Sequence, residues 1–129
     1  MYGLTRIYGV YNADSGLMGE LFYLYGKLSG QTHCDLCDIT HSTFGEKKSW
    51  RAMNSRLQFP VELVHLNQRD LKLSSFTQGI TPCVVLEREC KYWLLIDSER
   101  LKLCRGKVIE FERILVQSLD NLPFCEQTH

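Results

Sequence analysis

An α/β domain built on a four-stranded mixed sheet with flanking helices is what the chain predicts, from two groups of segments. The first half runs strand, helix, helix, strand, an order that calls for a parallel right-handed crossover. The second half holds two apolar runs around a short charged connection, followed by an amphipathic helix, so it adds a pair of antiparallel strands. With 129 residues and no internal repeat, low-complexity tract or break in composition, one domain over 1–129 is expected.

The elements follow in order. Leu4 to Tyr11 (LTRIYGVY) is rich in β-branched and aromatic residues and reads as a mostly buried strand. Asn12-Ala13-Asp14-Ser15-Gly16 breaks it with turn and capping residue types. From Leu17, the spacing of Leu17, Leu21, Leu24 and Leu28 predicts a helix ended by Ser29-Gly30. Gln31 to Ser42 carries a cysteine pair and reads as a loop, having no clear period. Thr43-Phe44-Gly45-Glu46 fits a capping box ahead of a second helix with Trp50, Met53 and Leu57 on one face, closed by Phe59-Pro60. Lys47, Lys48, Arg51 and Arg56 supply that helix with a solvated face.

Val61 to Asn67 alternates as a strand containing His65, which reads as a core or edge histidine. Gln68 to Thr81 reads as a short strand at Leu71–Leu73 and then a loop. Pro82 to Leu86 and Tyr92 to Ile96 form a hairpin around a polar connection, although no Asn-Gly or Asp-Gly fixes its turn. Asp97 to Arg100 reads as a further turn. Val108, Phe111, Leu115 and Leu119 mark a last amphipathic helix that ends near Asn121-Leu122-Pro123.

Composition narrows the function classes. Fifteen Lys and Arg offset 15 Asp and Glu, so the positive surplus that drives nucleic-acid binding is missing and no nucleic-acid partner is expected. No apolar run approaches the roughly 18 residues of a membrane span, so no membrane partner is expected either. The start of the chain lacks the layout of a secretory signal, and four of the six cysteines are scattered singly, as free thiols are. A reducing cytoplasm is the expected location.

The arrangement resembles the thioredoxin-like superfamily, whose core is βαβ followed by ββα. Thr81-Pro82-Cys83-Val84-Val85-Leu86 is similar to that family's segment in which a cis-proline precedes the third core strand. The resemblance implies thiol–disulfide exchange with Cys34 as nucleophile, Cys37 as resolving thiol, Pro82 bounding a substrate cleft and Cys83 as a nearby third thiol. The partner so implied is a protein thiol or a small molecule. Redox members carry Cys-x-x-Cys where the first strand runs into its helix, whereas this chain has Asn12-Ala13-Asp14-Ser15 there and Cys34-Asp35-Leu36-Cys37 a helix later. A second alignment makes Leu4–Tyr11 an additional N-terminal strand and lets Cys34 open the second helix. The segments YNADSG and CDLCDITH are also similar to those of small bacterial proteins of no assigned activity.

Two candidate sites emerge. In His33-Cys34-Asp35-Leu36-Cys37-Asp38-Ile39-Thr40-His41, two thiols three residues apart can close a disulfide, bind a metal or simply pack. Disulfide exchange needs a thiolate, which a helix start or a nearby imidazolium favours and Asp35 and Asp38 oppose. No cofactor is needed for it. Metal binding would use Cys34, Cys37 and His41, with His33 as a fourth ligand and zinc as the ion. The second site is Asn12–Gly16, at the strand-to-helix edge where α/β sheets take ligands. Asn12, Asp14 and Ser15 are its candidate substrate contacts, and Asp14 or Ser15 can equally cap the helix. Ser15 lacks the surroundings of a hydrolase nucleophile, and no Gly-rich phosphate loop occurs.

The two sites are expected to meet. A helix of about 13 residues carries the chain roughly 20 Å from the carboxyl-end edge of the sheet. About 12 extended residues span roughly 40 Å, enough to return. The second helix must start at that edge to deliver the parallel strand at Val61. The cysteine pair, just ahead of that start, is therefore expected beside Asn12–Ser15 and Pro82–Cys83.

Overall fold

The computed structural model describes residues 4–14, 34–42 and 45–122. Among them, β1 (Thr5–Val10) is followed by α1 (Asp35–Thr40) and the two-residue strands β2 (His41–Ser42) and β3 (Gly45–Glu46). Next come α2 (Lys48–Arg56), β4 (Val61–Val64), a 3-10 turn (Leu66–Gln68) and α3 (Leu71–Thr77). The chain closes with β5 (Cys83–Arg88), β6 (Lys91–Ile96), α4 (Ser98–Leu103) and α5 (Val108–Asp120).

The result is a mixed α/β structure on a four-stranded sheet of order β4-β1-β5-β6. β1 is central, so the alignment that made it an additional strand outside the core does not hold. It runs parallel to β4, with Ile7 opposite Val61, and antiparallel to β5, with Ile7 opposite Leu86. β5 and β6 form the expected hairpin, closed by Glu89 and Cys90 at φ values of 53° and 65°. Two successive left-handed residues match the strand twist that a tight hairpin requires, here without glycine. The Thr81–Pro82 peptide bond is cis.

Alternation along the strands sends Ile7, Val84, Leu86 and Ile96 to one face, where Trp50 and Met53 of α2, Phe111 and Leu115 of α5, and Leu36 and Ile39 of α1 cover them. Val10, Cys83 and Val85 point to the other face, against Leu73 of α3. Gly9 lets the first layer close: a β-carbon there would lie 3.0 Å from Leu63 and 3.1 Å from Val61, with Leu36 of α1 next nearest at 3.4 Å. The loop between α2 and β4 is tied by Asn54, whose Nδ2 donates to the Val61 carbonyl (3.1 Å) while its Oδ1 accepts from the Val61 N–H (2.7 Å). Asn54→Ala is expected to cost about 1–3 kcal/mol, because both backbone groups lose their partner. A urea titration showing an unchanged midpoint would contradict this.

Several sequence expectations are corrected. The cysteine segment is a helix rather than a loop; at six residues it is too short to display a period, although Leu36, Cys37, Ile39 and Thr40 share its buried side. Thr43 and Phe44 lie outside the described residues, and Gly45–Glu46 pair with His41–Ser42 instead of capping α2. α2 starts after Lys47 with no side-chain cap. The strand read to Asn67 stops at Val64, since His65 closes a reciprocal cap with Gln68 and turns the chain into the 3-10 turn. The strand at Leu71–Leu73 is helix α3, and the turn at Asp97–Arg100 begins helix α4. In both, an Asp side chain accepts the third N–H of the helix: Asp70 from Leu73 at 2.8 Å, Asp97 from Arg100 at 2.9 Å. The helix expected from Leu17 lies outside the described residues. No helix among the described residues is long and apolar enough to cross a membrane.

Candidate functional site

The cysteine pair sits where β1 ends. Tyr11, directly after β1, donates its backbone N–H to Val64 (2.9 Å), and Leu66 donates to Ala13 (2.9 Å), so the turn is pinned to the chain leaving β4. The Asn12 Oδ1 accepts from the Thr81 hydroxyl at 2.8 Å, one residue before Pro82. The Tyr11 hydroxyl reaches Thr40 of α1 and the Thr81 hydroxyl reaches Asn12, so α1 and Thr81 both meet the turn that follows β1. Asp14 is exposed, while Ser15 and His33 lie outside the described residues.

Local chemistry explains the placement of Cys34. It caps α1 in extended conformation, and its sulfur accepts the Cys37 N–H at 3.3 Å. The apolar residues Leu36 and Ile39, both fully buried, anchor the helix under it. Cys34 and Cys37 are themselves buried, at 6% and 5% exposure. The Cys34 thiol is lowered to about 7, chiefly because the Cys37 side chain hydrogen-bonds to the charged form, helped by the Asn12 and Cys37 backbone N–H groups and opposed by burial and by Asp38. The same bond to Cys34, together with burial and the charge on Cys34, pushes the Cys37 thiol well above the ordinary thiol range. One thiolate sheltered by one thiol is the pattern an unsymmetrical dithiol requires.

The sign for pH is direct. A lowered thiol is ionised above about 7, so the rate at which Cys34 reacts with a small alkylating reagent is expected to rise through half its maximum near pH 7. Cys37→Ala removes the side-chain donor and is expected to move that half-point up toward the ordinary value of about 8.5. A half-point already at the ordinary value in the wild-type protein would refute the arrangement.

Next to the pair lies a buried hydroxyl chain that the sequence did not disclose. The Tyr11 hydroxyl is 2.8 Å from Thr40 Oγ1, which is 2.7 Å from His41 Nδ1. Tyr11 and Thr40 are 1% and 0% exposed, and the Tyr11 ring also rests on His65 with centroids 5.0 Å apart. Burial raises the Tyr11 hydroxyl above its usual value and lowers the His41 imidazole. The only signal in the sequence is a tyrosine, Tyr11, at the end of the strand read over Leu4–Tyr11.

Other candidates are not brought in. Cys83 is fully buried on the opposite sheet face with Val10, Leu73 and Val85, and burial pushes its thiol up to about 12. It is not an accessible third thiol. Pro82 is buried beside it. Among the described residues no three His, Cys, Asp or Glu side chains gather as a metal-binding group, and the His41 ring faces Thr40 and Tyr11. Comparison with protein-family models, curated proteins and solved structures found no match.

Proposed function

We propose that the chain is a thioredoxin-like thiol–disulfide exchange protein that uses Cys34 as nucleophile and Cys37 as resolving thiol. The observation that carries this reading is the Cys34 sulfur at the start of α1, accepting the Cys37 N–H at 3.3 Å and held beside the Cys37 thiol, which favours its charged form. The sheet order, with β4 parallel and β5 antiparallel to β1, supports the thioredoxin-like reading.

The chemistry balances with a disulfide of a protein or small-molecule partner as oxidant. The Cys34 thiolate attacks one sulfur of that disulfide, forming a mixed disulfide and releasing the first partner thiolate. Cys37 then loses its proton to solvent and attacks the Cys34 sulfur. The Cys34–Cys37 disulfide forms, the second partner thiolate leaves, and two electrons have passed to the partner. Reduction of the pair runs the steps in reverse. A reducing cytoplasm, the compartment expected from the sequence, would supply the reducing thiols.

A second reading, structural packing, is favoured by the burial of both cysteines within the main core. Equilibration of the folded protein with mixtures of reduced and oxidised glutathione separates the two, followed by thiol counting and mapping. Exchange predicts that Cys34 and Cys37 oxidise together and reversibly while the fold persists. Thiols that stay reduced until the protein unfolds would overturn the proposal in favour of packing.

A further inference from the structure

The sheet has two edges, and they are finished differently. At one edge β4 is only four residues long, and both backbone groups of Val61 are taken by the Asn54 side chain, at 2.7 and 3.1 Å. At the other, β6 runs six residues, and among the described residues no strand pairs with its outer side. We propose that this edge is an interface on which a second copy of the chain lays its own β6 antiparallel, joining two four-stranded sheets into one. The proposal stands apart from the exchange reading, because it uses neither cysteine of the pair.

An outer row of N–H and C=O groups is a template for another strand, and edges that stay single are shortened, charged or covered. β6 is full length, and its only charge is Lys91 at the start. The sheet face beside it is apolar. Leu94, opposite Val85, is 43% exposed, and Phe76 of α3 stacks on Tyr92 with centroids 5.3 Å apart. Leu71, at the start of α3, is 87% exposed and lines the same shallow depression as Phe76 and Tyr92. The bulge that adds Leu95 to β6 turns both Leu95 and Ile96 into the core, so Leu94 is the last strand residue on this face.

The sequence of β6 is complementary to itself, which identifies the partner. Antiparallel pairing about a two-fold axis at Leu94 brings the two Leu94 side chains together and sets Tyr92 opposite Ile96. It also sets Lys91 opposite Asp97 of the second copy, twice over, and both residues are exposed. Asp97 already accepts the Arg100 N–H at 2.9 Å, but a carboxylate has room for further donors, so an ammonium can join without uncapping α4. A slip of one residue either way puts Lys91 against Ile96 or Ser98, so the same charges select this register. One strand pair with its flanking patch lies at the small end of protein interfaces, and the dimer is therefore weak and dependent on concentration.

The test is sedimentation equilibrium of the full-length protein over about 1–500 µM, with a reductant present so that the exposed Cys90 cannot link two copies. The mass is expected to rise from monomer toward dimer across that range. Hydrogen exchange read by mass spectrometry is expected to show β6 amides gaining protection as concentration rises, while those of β4 do not change. Leu94→Lys places two like charges on the axis and is expected to weaken the dimer about tenfold or more, with the thermal midpoint near that of wild type because the site is exposed. Lys91→Glu sets a carboxylate against Asp97 and is expected to weaken it about three- to tenfold. A protein that stays monomeric throughout would overturn the proposal and leave the edge to a strand of another protein. A dimer that survives Leu94→Lys, or β6 protection that does not depend on concentration, would overturn it as well, the first placing the interface elsewhere and the second covering the edge within one chain.

Discussion

Cys34→Ser is expected to remove disulfide exchange, lowering the rate by roughly a hundredfold or more, while leaving the protein folded. The two effects separate because serine is itself a good helix-capping residue. Its hydroxyl can accept the Cys37 N–H that the Cys34 sulfur accepts now, at 3.3 Å. What is lost is the thiolate, and an alcohol at neutral pH cannot replace it as an attacking group. Cys37→Ser is expected to behave differently: the mixed disulfide on Cys34 forms and then persists, because no thiol follows to displace the partner. Trapping that adduct and identifying Cys34 in it by mass spectrometry checks both statements. Equal exchange rates in wild type and Cys34→Ser would show that the pair is structural.

Trp50→Ala is expected to have the largest effect on stability, about 3–5 kcal/mol. Trp50 is 1% exposed and projects from α2 into the main core, where its ring meets Phe111 of α5 edge-on with centroids 5.1 Å apart. Removing it leaves a cavity between two helices and the sheet, and also ends an aromatic contact of roughly 0.5–1.5 kcal/mol. Against a typical total of about 5–15 kcal/mol, the loss is a large fraction of what holds a domain together. Urea unfolding followed by far-ultraviolet circular dichroism reads the change in midpoint. Trp50→Phe keeps an aromatic ring in place and is expected to recover part of it. A Trp50→Ala midpoint within error of wild type would mean that α2 does not depend on this contact.

Much of the architecture was legible in the sequence. Leu4–Tyr11, Pro82–Leu86 and Tyr92–Ile96 carry enough β-branched and aromatic residues to declare strands, and β1, β5 and β6 lie there. Trp50 and Met53, and Phe111 with Leu115, declare helix faces that are buried in α2 and α5. These elements are long enough to display a full period, which is the signal that sequence reading depends on. The short helices were misread for the same reason. α1, α3 and α4 span six or seven residues, fewer than two turns, so their apolar spacing is indistinguishable from a loop or a strand. What marks α3 and α4 is a single Asp cap at Asp70 or Asp97, a residue type equally at home in turns.

The sequence by itself pointed to a parallel pair of strands, an antiparallel hairpin and the end of the first strand as the place to which Cys34 returns, since these follow from periodicity and element lengths. Only the tertiary structure decided what the cysteines meet there. The tie between Asn12 and Thr81 joins residues separated by 69 positions, and the Tyr11–Thr40 bond spans 29. No local pattern encodes such contacts, because each depends on where packing of the whole sheet brings two distant turns. The opposite fates of Cys34 and Cys83 have the same origin. Both are buried thiols next to ordinary apolar neighbours, but one faces the Cys37 N–H and a second thiol, and the other faces Val10, Leu73 and Val85 across the sheet.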